Sequence, residues 1–161
     1  MQAATESYAN VEIVDYRAEH GAAVKGLLGE MTAEYAPLLP HILRDQGGVV
    51  PDVESGEGIY QRVALLGDEV VGYAYGKVMS SNAHPALCDR RYFYLNEIVV
   101  TTRVRNLGIG SKLLADSEAF AAAHGLTDVE LNVYAMSPAA QRFYRRHGYE
   151  VLVMRMAKRN V

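Results

Sequence analysis

The chain has 161 residues, 50% of them hydrophobic, with 16 Lys+Arg against 19 Asp+Glu and a formal net charge of -3. That length suits one globular domain that buries a core without staples, so a single domain over residues 1–161 is expected, and the charge lacks the basic footprint of a nucleic-acid binder. One cysteine, Cys88, leaves no internal disulfide, no Cys/His spacing suits a metal, and neither the opening "MQAATESYAN" nor any later run resembles a leader or a membrane span. A soluble, cytoplasmic, metal-free protein that engages neither membrane nor nucleic acid is the expectation.

"VEIVDYRA", from Val11, alternates as a short strand and leads into a helix near Glu19 that carries Val24, Leu27, Leu28 and Met31 at helical spacing. Pro37 interrupts that helix, and "LLPHILRDQ" reads as a second short helix before Gly47-Gly48. "GGVVPDVESGEG" is rich in turn residues and acids and reads as an exposed loop. "IYQRVALL" and "EVVGYAYGKVMS" flank Gly67-Asp68-Glu69 and predict an antiparallel hairpin. After a second loop, "SNAHPALCDR", the stretch "RYFYLNEIVV" reads as a strand rich in aromatic and branched residues. A helix from about Gly108 to His124 follows, with Ile109, Leu113, Leu114, Phe120 and Ala121 on one side and Gly125 suited to the left-handed cap. "DVELNVYA" is another strand. Ser137 is placed as an N-cap with Pro138 at the first helical position, Gly148 closes that helix, and "VLVMRMA" is expected as a final strand.

The stretch "RNLGIGSKLL" is the one that carries chemistry. A strand ending in two valines, a turn, and a helix opening at two glycines put unsatisfied N–H groups and a positive dipole end where an anion can touch bare backbone. Spacing removes two nucleotide devices. The P-loop needs lysine directly after its last glycine, but Ser111 stands between Gly110 and Lys112. The dinucleotide fingerprint needs a third glycine where this chain has Leu113. What remains is Arg105-x-x-Gly108-x-Gly110 after Leu95-x-x-Ile98-x-Val100.

These residues resemble the GNAT N-acetyltransferase superfamily, and "SPAAQRFYRRHGY", with Ser137, Ala140, Phe143-Tyr144 and Gly148-Tyr149, is similar to that family's later motif. Thr102 replaces a proline common before the turn, and Ser137 stands where asparagine is usual. The resemblance implies an α/β fold with a mixed, mainly antiparallel sheet flanked by helices and a splay between two strands that receives acyl-CoA. It implies acetyl-CoA as acyl donor, held by Ile98, Val99, Val100, Arg105, Asn106, Leu107, Gly108, Ile109, Gly110, Ser111 and Ser137. It also implies direct attack by a primary amine of a small molecule or peptide, with Glu97 as proton acceptor and Tyr144 as the acid for the CoA thiolate. Homodimers occur among such proteins. The same turn would also serve a non-catalytic acyl-CoA sensor, against which Tyr144 speaks.

Other residues leave two readings open. Tyr73 and Tyr75, with Tyr92 and Tyr94, could wall an acceptor cleft or simply be half-buried sheet residues. Asp52, Glu54 and Glu57 could attract a cationic amine or belong to a solvated loop. Arg103 and Lys112 add positive charge near the turn, Arg142, Arg145 and Arg146 could approach the CoA 3′-phosphate or be the ordinary cations of a helix C-terminus, and His84, His124 and His147 suggest no triad or metal site.

Overall fold

Strand alternation and one tight turn build most of the sheet. The computed structural model describes residues 10–81, 85, 86 and 88–158. Strands β1 (Val11–Asp15), β2 (Ile59–Leu66), β3 (Glu69–Ser81) and β4 (Arg90–Val100) pair antiparallel in that order, and β5 (Val129–Leu131) adds in parallel to β4. The sheet is therefore mixed and mainly antiparallel, as the sequence implies. Gly67 and Asp68 close the β2–β3 hairpin, as predicted.

Helix α1 (Gly21–Tyr35) covers one face. Its Val24, Leu27 and Leu28 form a buried cluster with Tyr16, Val63, Tyr73 and Val99. Helix α2 (Ile109–Ala123) covers the other face, burying Ile109, Leu113, Leu114 and Ala121 as its spacing predicts. Beneath it Tyr60, Phe93 and Phe120 meet edge-on or tilted, with ring centroids 5.3–5.8 Å apart. Fully burying side chains of this size contributes about 1.5–3 kcal/mol each, so the two helices hold the sheet from both sides.

Contacts divide the chain into two compact units that meet between Leu131 and Asn132. The second unit holds α3 (Pro138–Arg146), with Ser137 at the N-cap position, Pro138 in the first turn and Gly148 at φ 87° beyond the end.

Three expectations are corrected. "LLPHILRDQ" forms only turns, because Pro40 lacks an N–H and disfavours the helical region for Leu39. "DVELNVYA" is a strand only over Val129–Leu131, where β4 offers a partner at Phe93–Leu95. "VLVMRMA" forms no strand: Val151, Leu152, Val153, Met154 and Met156 are exposed, and strand propensity expresses fit to a half-buried pleated surface that these side chains do not meet. His84 and nearly all of the N-terminal segment lie outside the described residues.

Candidate active site

A bulge breaks the β3–β4 register. Tyr75 lies opposite Glu97 but Gly76 lies opposite Leu95, so Asn96 has no counterpart. Phe93 and the Tyr94 carbonyl press on Gly76, where any Cβ would clash with them. Past this point β4 continues to Val100 while β5 has ended, so β4 runs on with no described strand on its β5 side.

Alternation decides which backbone groups face that open edge. The Thr101 N–H donates to the Val71 carbonyl at 3.0 Å, which turns Thr101, and two residues earlier Val99, toward β3. Ile98 and Val100 consequently direct their main-chain groups outward. The Val100 carbonyl accepts from Arg105 Nε at 3.0 Å, leaving its N–H and both Ile98 groups on the edge. Val99 is a spacer in this geometry, its side chain buried against α1.

The edge runs into the glycine turn. After a short 3-10 turn at Thr102–Val104 come Asn106 at φ 63° and Gly108 at φ 84°, and Gly108 caps α2 with no side chain closing the helix start. A non-glycine residue at Gly108 would be strained, yet a Cβ there meets nothing within 4 Å. The glycine thus supplies a conformation and leaves the first-turn N–H groups of Ile109, Gly110 and Ser111 approachable. Asn106 and Leu107 are exposed beside them. Arg105 does a different job: besides Val100 it pairs with Glu34 of α1 at 2.8 Å, so its charge is engaged in holding the turn. Arg103 is likewise paired, with Glu69.

Glu97 projects to the α1 face beside Tyr75, and burial pushes its carboxyl above the ordinary range. Around it lies a polar network that the sequence did not announce. Gln61, buried in β2, donates from Nε2 to the Asp52 carbonyl at 2.9 Å and to the Tyr73 hydroxyl at 3.0 Å, while its Oε1 accepts from Glu54 N–H at 3.1 Å. Tyr75 donates to Glu54 Oε1 at 2.6 Å, and Lys77 Nζ lies 2.9 Å from the other oxygen. Tyr16 donates to the Pro51 carbonyl at 2.8 Å. The acidic loop is therefore stitched to the sheet beside Glu97. The only sequence signal was Gln61 itself, a polar residue inside an apolar strand. Gly48, at φ 76°, completes the anchoring where a Cβ would collide with the Lys25 carbonyl and Gly29 of α1. A cavity of about 690 Å³ lies elsewhere in this unit, between the start of α1 and the β2–β3 turn; its Glu30 and Glu69 are already engaged by Thr101, Thr102 and Arg103.

Ser137 and Tyr144 belong to the second unit. Ser137 is buried, and its carbonyl accepts from Gln141 N–H at 3.1 Å, but its hydroxyl makes no cap hydrogen bond. The Tyr144 ring meets Phe143 at 5.1 Å and Tyr149 at 5.7 Å, both edge-on. Cys88 is exposed. Among the described residues no cluster suits a metal and no helix is long and apolar enough to cross a membrane.

A mixed sheet with an open inner strand edge, leading into an uncapped helix N-terminus, defines an acyltransferase-type α/β protein. The model of the Acetyltransferase (GNAT) family matches residues 27–149, and the chain belongs to that family. No curated protein matches it in sequence. Its fold is similar to that of a mutant BH1408 protein from Bacillus halodurans, at 18% identity and TM-score 0.85, covering 93% of this chain and 99% of that one. It is similar also to aminoglycoside N-acetyltransferase AAC(6')-Iy in complex with CoA, at 17% identity and TM-score 0.67, covering 94% and 96%. A third likeness is to an aminoglycoside acetyltransferase, meta-AAC0020, from an uncultured soil metagenomic sample, at 18% identity and TM-score 0.65, covering 94% and 97%.

Proposed function

We propose that this enzyme is an acetyl-CoA-dependent N-acetyltransferase, acting as a single domain on a primary amine of a small molecule or peptide. The observation that carries the reading is the outward edge at Ile98 and Val100 leading into the glycine turn. Pantetheine adds to that edge as a short strand would, and the pyrophosphate sits on the N–H groups from Asn106 to Ser111. The likeness to a CoA-bound acetyltransferase supports this.

An alkyl ammonium with a pKa near 10.4 costs about 4 kcal/mol to deprotonate at pH 7.5, so the site needs a proton acceptor. Glu97 serves, its burial making it more basic than an exposed carboxylate. The free amine attacks the thioester carbonyl, the tetrahedral oxyanion collapses, and the C–S bond breaks to release CoA thiolate. Tyr144 protonates that thiolate, a role that rests on the motif it belongs to. Tyr144→Phe is expected to slow turnover with little change in acetyl-CoA affinity, checked by steady-state kinetics beside calorimetry.

The deciding experiment is calorimetric titration with acetyl-CoA, with ATP and NAD as controls, followed by an amine panel. Saturable binding of acetyl-CoA alone, with turnover, is the expected result. Binding without turnover of any amine would identify a sensor instead, and no binding would sink the reading.

A further inference from the structure

Tyrosines Tyr16, Tyr73 and Tyr75 share the α1 side of the sheet around Glu97, and their hydroxyl protons are differently committed. Tyr16 spends its proton on the Pro51 carbonyl and Tyr75 on Glu54. Tyr73 is different, because its oxygen accepts from Gln61. The direction of that bond is fixed. Glu54 N–H can donate only to the Gln61 carbonyl oxygen, so the Gln61 amide nitrogen must face Asp52 and Tyr73. The Tyr73 proton therefore points away from Gln61, and no described residue is shown accepting it.

Register places a carboxylate nearby. Gln61, Tyr75 and Glu97 form one row across β2, β3 and β4, and Val63, Tyr73 and Val99 form the next row on the same face. Since the Tyr73 hydroxyl reaches Gln61, it leans along the strand from its own row toward the neighbouring row, at the β2 end of which Gln61 stands and at the β4 end Glu97. Tyr73 and Glu97 are diagonal cross-strand neighbours, a relation that leaves backbones about 7–8 Å apart and long side chains within reach. The Glu97 charge also disfavours loss of the Tyr73 proton, as expected of a carboxylate close by, although burial is the larger cause of that shift.

We infer that Tyr73, oriented by Gln61, is a positioning residue for the reaction: it donates its phenolic proton through one bridging water to Glu97, and so holds the proton acceptor and that water in line with the incoming amine. The inference rests on the reading of Glu97 as the proton acceptor. Other charged groups on the surrounding elements have partners of their own: Glu54 with Tyr75 and Lys77, Glu30 of α1 with Thr101 and Thr102, and Glu34 with Arg105. Asp52 lies in the same loop, its carbonyl accepting from Gln61, and His20 packs against the Tyr16 ring at 6.2 Å.

The test reads the coupling directly. In protein labelled with ¹³C at the tyrosine ζ carbons and the glutamate carboxyls, the Tyr73 signal is expected to shift at the Glu97 titration midpoint, and to lose that step in Glu97→Gln. In Tyr73→Phe the Glu97 midpoint is expected to rise, because a donor to the carboxylate is gone. With butylamine as probe acceptor, the same variant is expected to lose about 10- to 100-fold in kcat with an unchanged KM for acetyl-CoA, and to move the acid limb of its pH profile upward. Should Tyr73→Phe fail to fold, the wild-type and Glu97→Gln titrations decide alone. A Tyr73 signal flat through the Glu97 titration overturns the inference. Intact coupling in a protein that neither binds acetyl-CoA nor acetylates amines supports the Tyr73–Glu97 link and removes the acetyltransferase reading instead.

Discussion

The two faces of the sheet are built from the same strands but to different ends. Under α2 the face is almost wholly apolar, and its buried hydroxyls are satisfied: Tyr60 donates to Asp116 at 2.8 Å and Ser117 to the Leu114 carbonyl at 2.7 Å. Under α1 the face mixes a buried apolar cluster with Glu97 and a chain of hydrogen bonds from Gln61 to the acidic loop. A carboxylate drawn partly out of water is a cost, and Glu97 places that cost on the α1 face. The α2 side with its aromatic rings thus secures the sheet, while the α1 side carries the cost of a partly desolvated carboxylate.

Glu97→Gln puts the sharpest question to that comparison. Because Glu97 is the proposed proton acceptor, its loss is expected to lower kcat by about 10²–10⁴-fold. Stability should move the other way. The folded carboxyl titrates above its unfolded value, so Glu97 favours the fold when protonated and loses that advantage as pH rises through the folded pKa. At neutral pH the neutral amide should therefore raise Tm, and the gain should vanish in acid, below the unfolded carboxyl range. Equal or lower stability at neutral pH would show that the α1 face bears no such cost. On the opposite face Phe93→Ala is expected to cost about 3–5 kcal/mol of unfolding free energy in a denaturant titration, because it removes a fully buried ring that both Tyr60 and Phe120 pack against.

Much of this difference could be read in the chain beforehand, but not all of it. The α2 face follows from spacing, since Ile109, Leu113, Leu114 and Ala121 recur at helical intervals and are buried as that pattern requires. The glycine turn was legible for the same local reason: a glycine between a strand and a helix signals backbone that side chains would forbid, and Gly108 adopts φ 84°. Gly108→Val is accordingly expected to weaken acetyl-CoA binding about tenfold or more by calorimetry while leaving the circular dichroism of the fold intact. The α1 face was legible only in part. Glu97 was visible from the motif, but nothing local places Gln61 against Tyr73, or Glu54 against Tyr75 and Lys77, because those pairings depend on strand register and on a loop folding back. The bulge at Asn96 was hidden for the same reason, being a relation between two strands. The failed final strand shows the converse error, in which apolar residues without a partner strand suggested an element that does not form.

Glu30 offers the mildest test, because it joins α1 to the turn without entering the chemistry. Its carboxylate accepts from the Thr102 N–H and from the Thr101 hydroxyl, each at 3.0 Å. Burial pushes its pKa up, but these hydrogen bonds, the Thr102 hydroxyl and the Arg105 charge together outweigh burial and hold it below the ordinary carboxylate range. A depressed folded pKa means stability that is present above the unfolded value and lost as pH falls through the folded one. Glu30→Gln is therefore expected to cost about 1 kcal/mol at neutral pH, since the amide still accepts one hydrogen bond but without charge. The gap from wild type should close in acid. This is the same behaviour toward acid as at Glu97 but with the opposite sign at neutral pH. Thermal unfolding of both variants across the acid range would show whether the α1 side separates a carboxylate that supports the turn from one that burdens the fold.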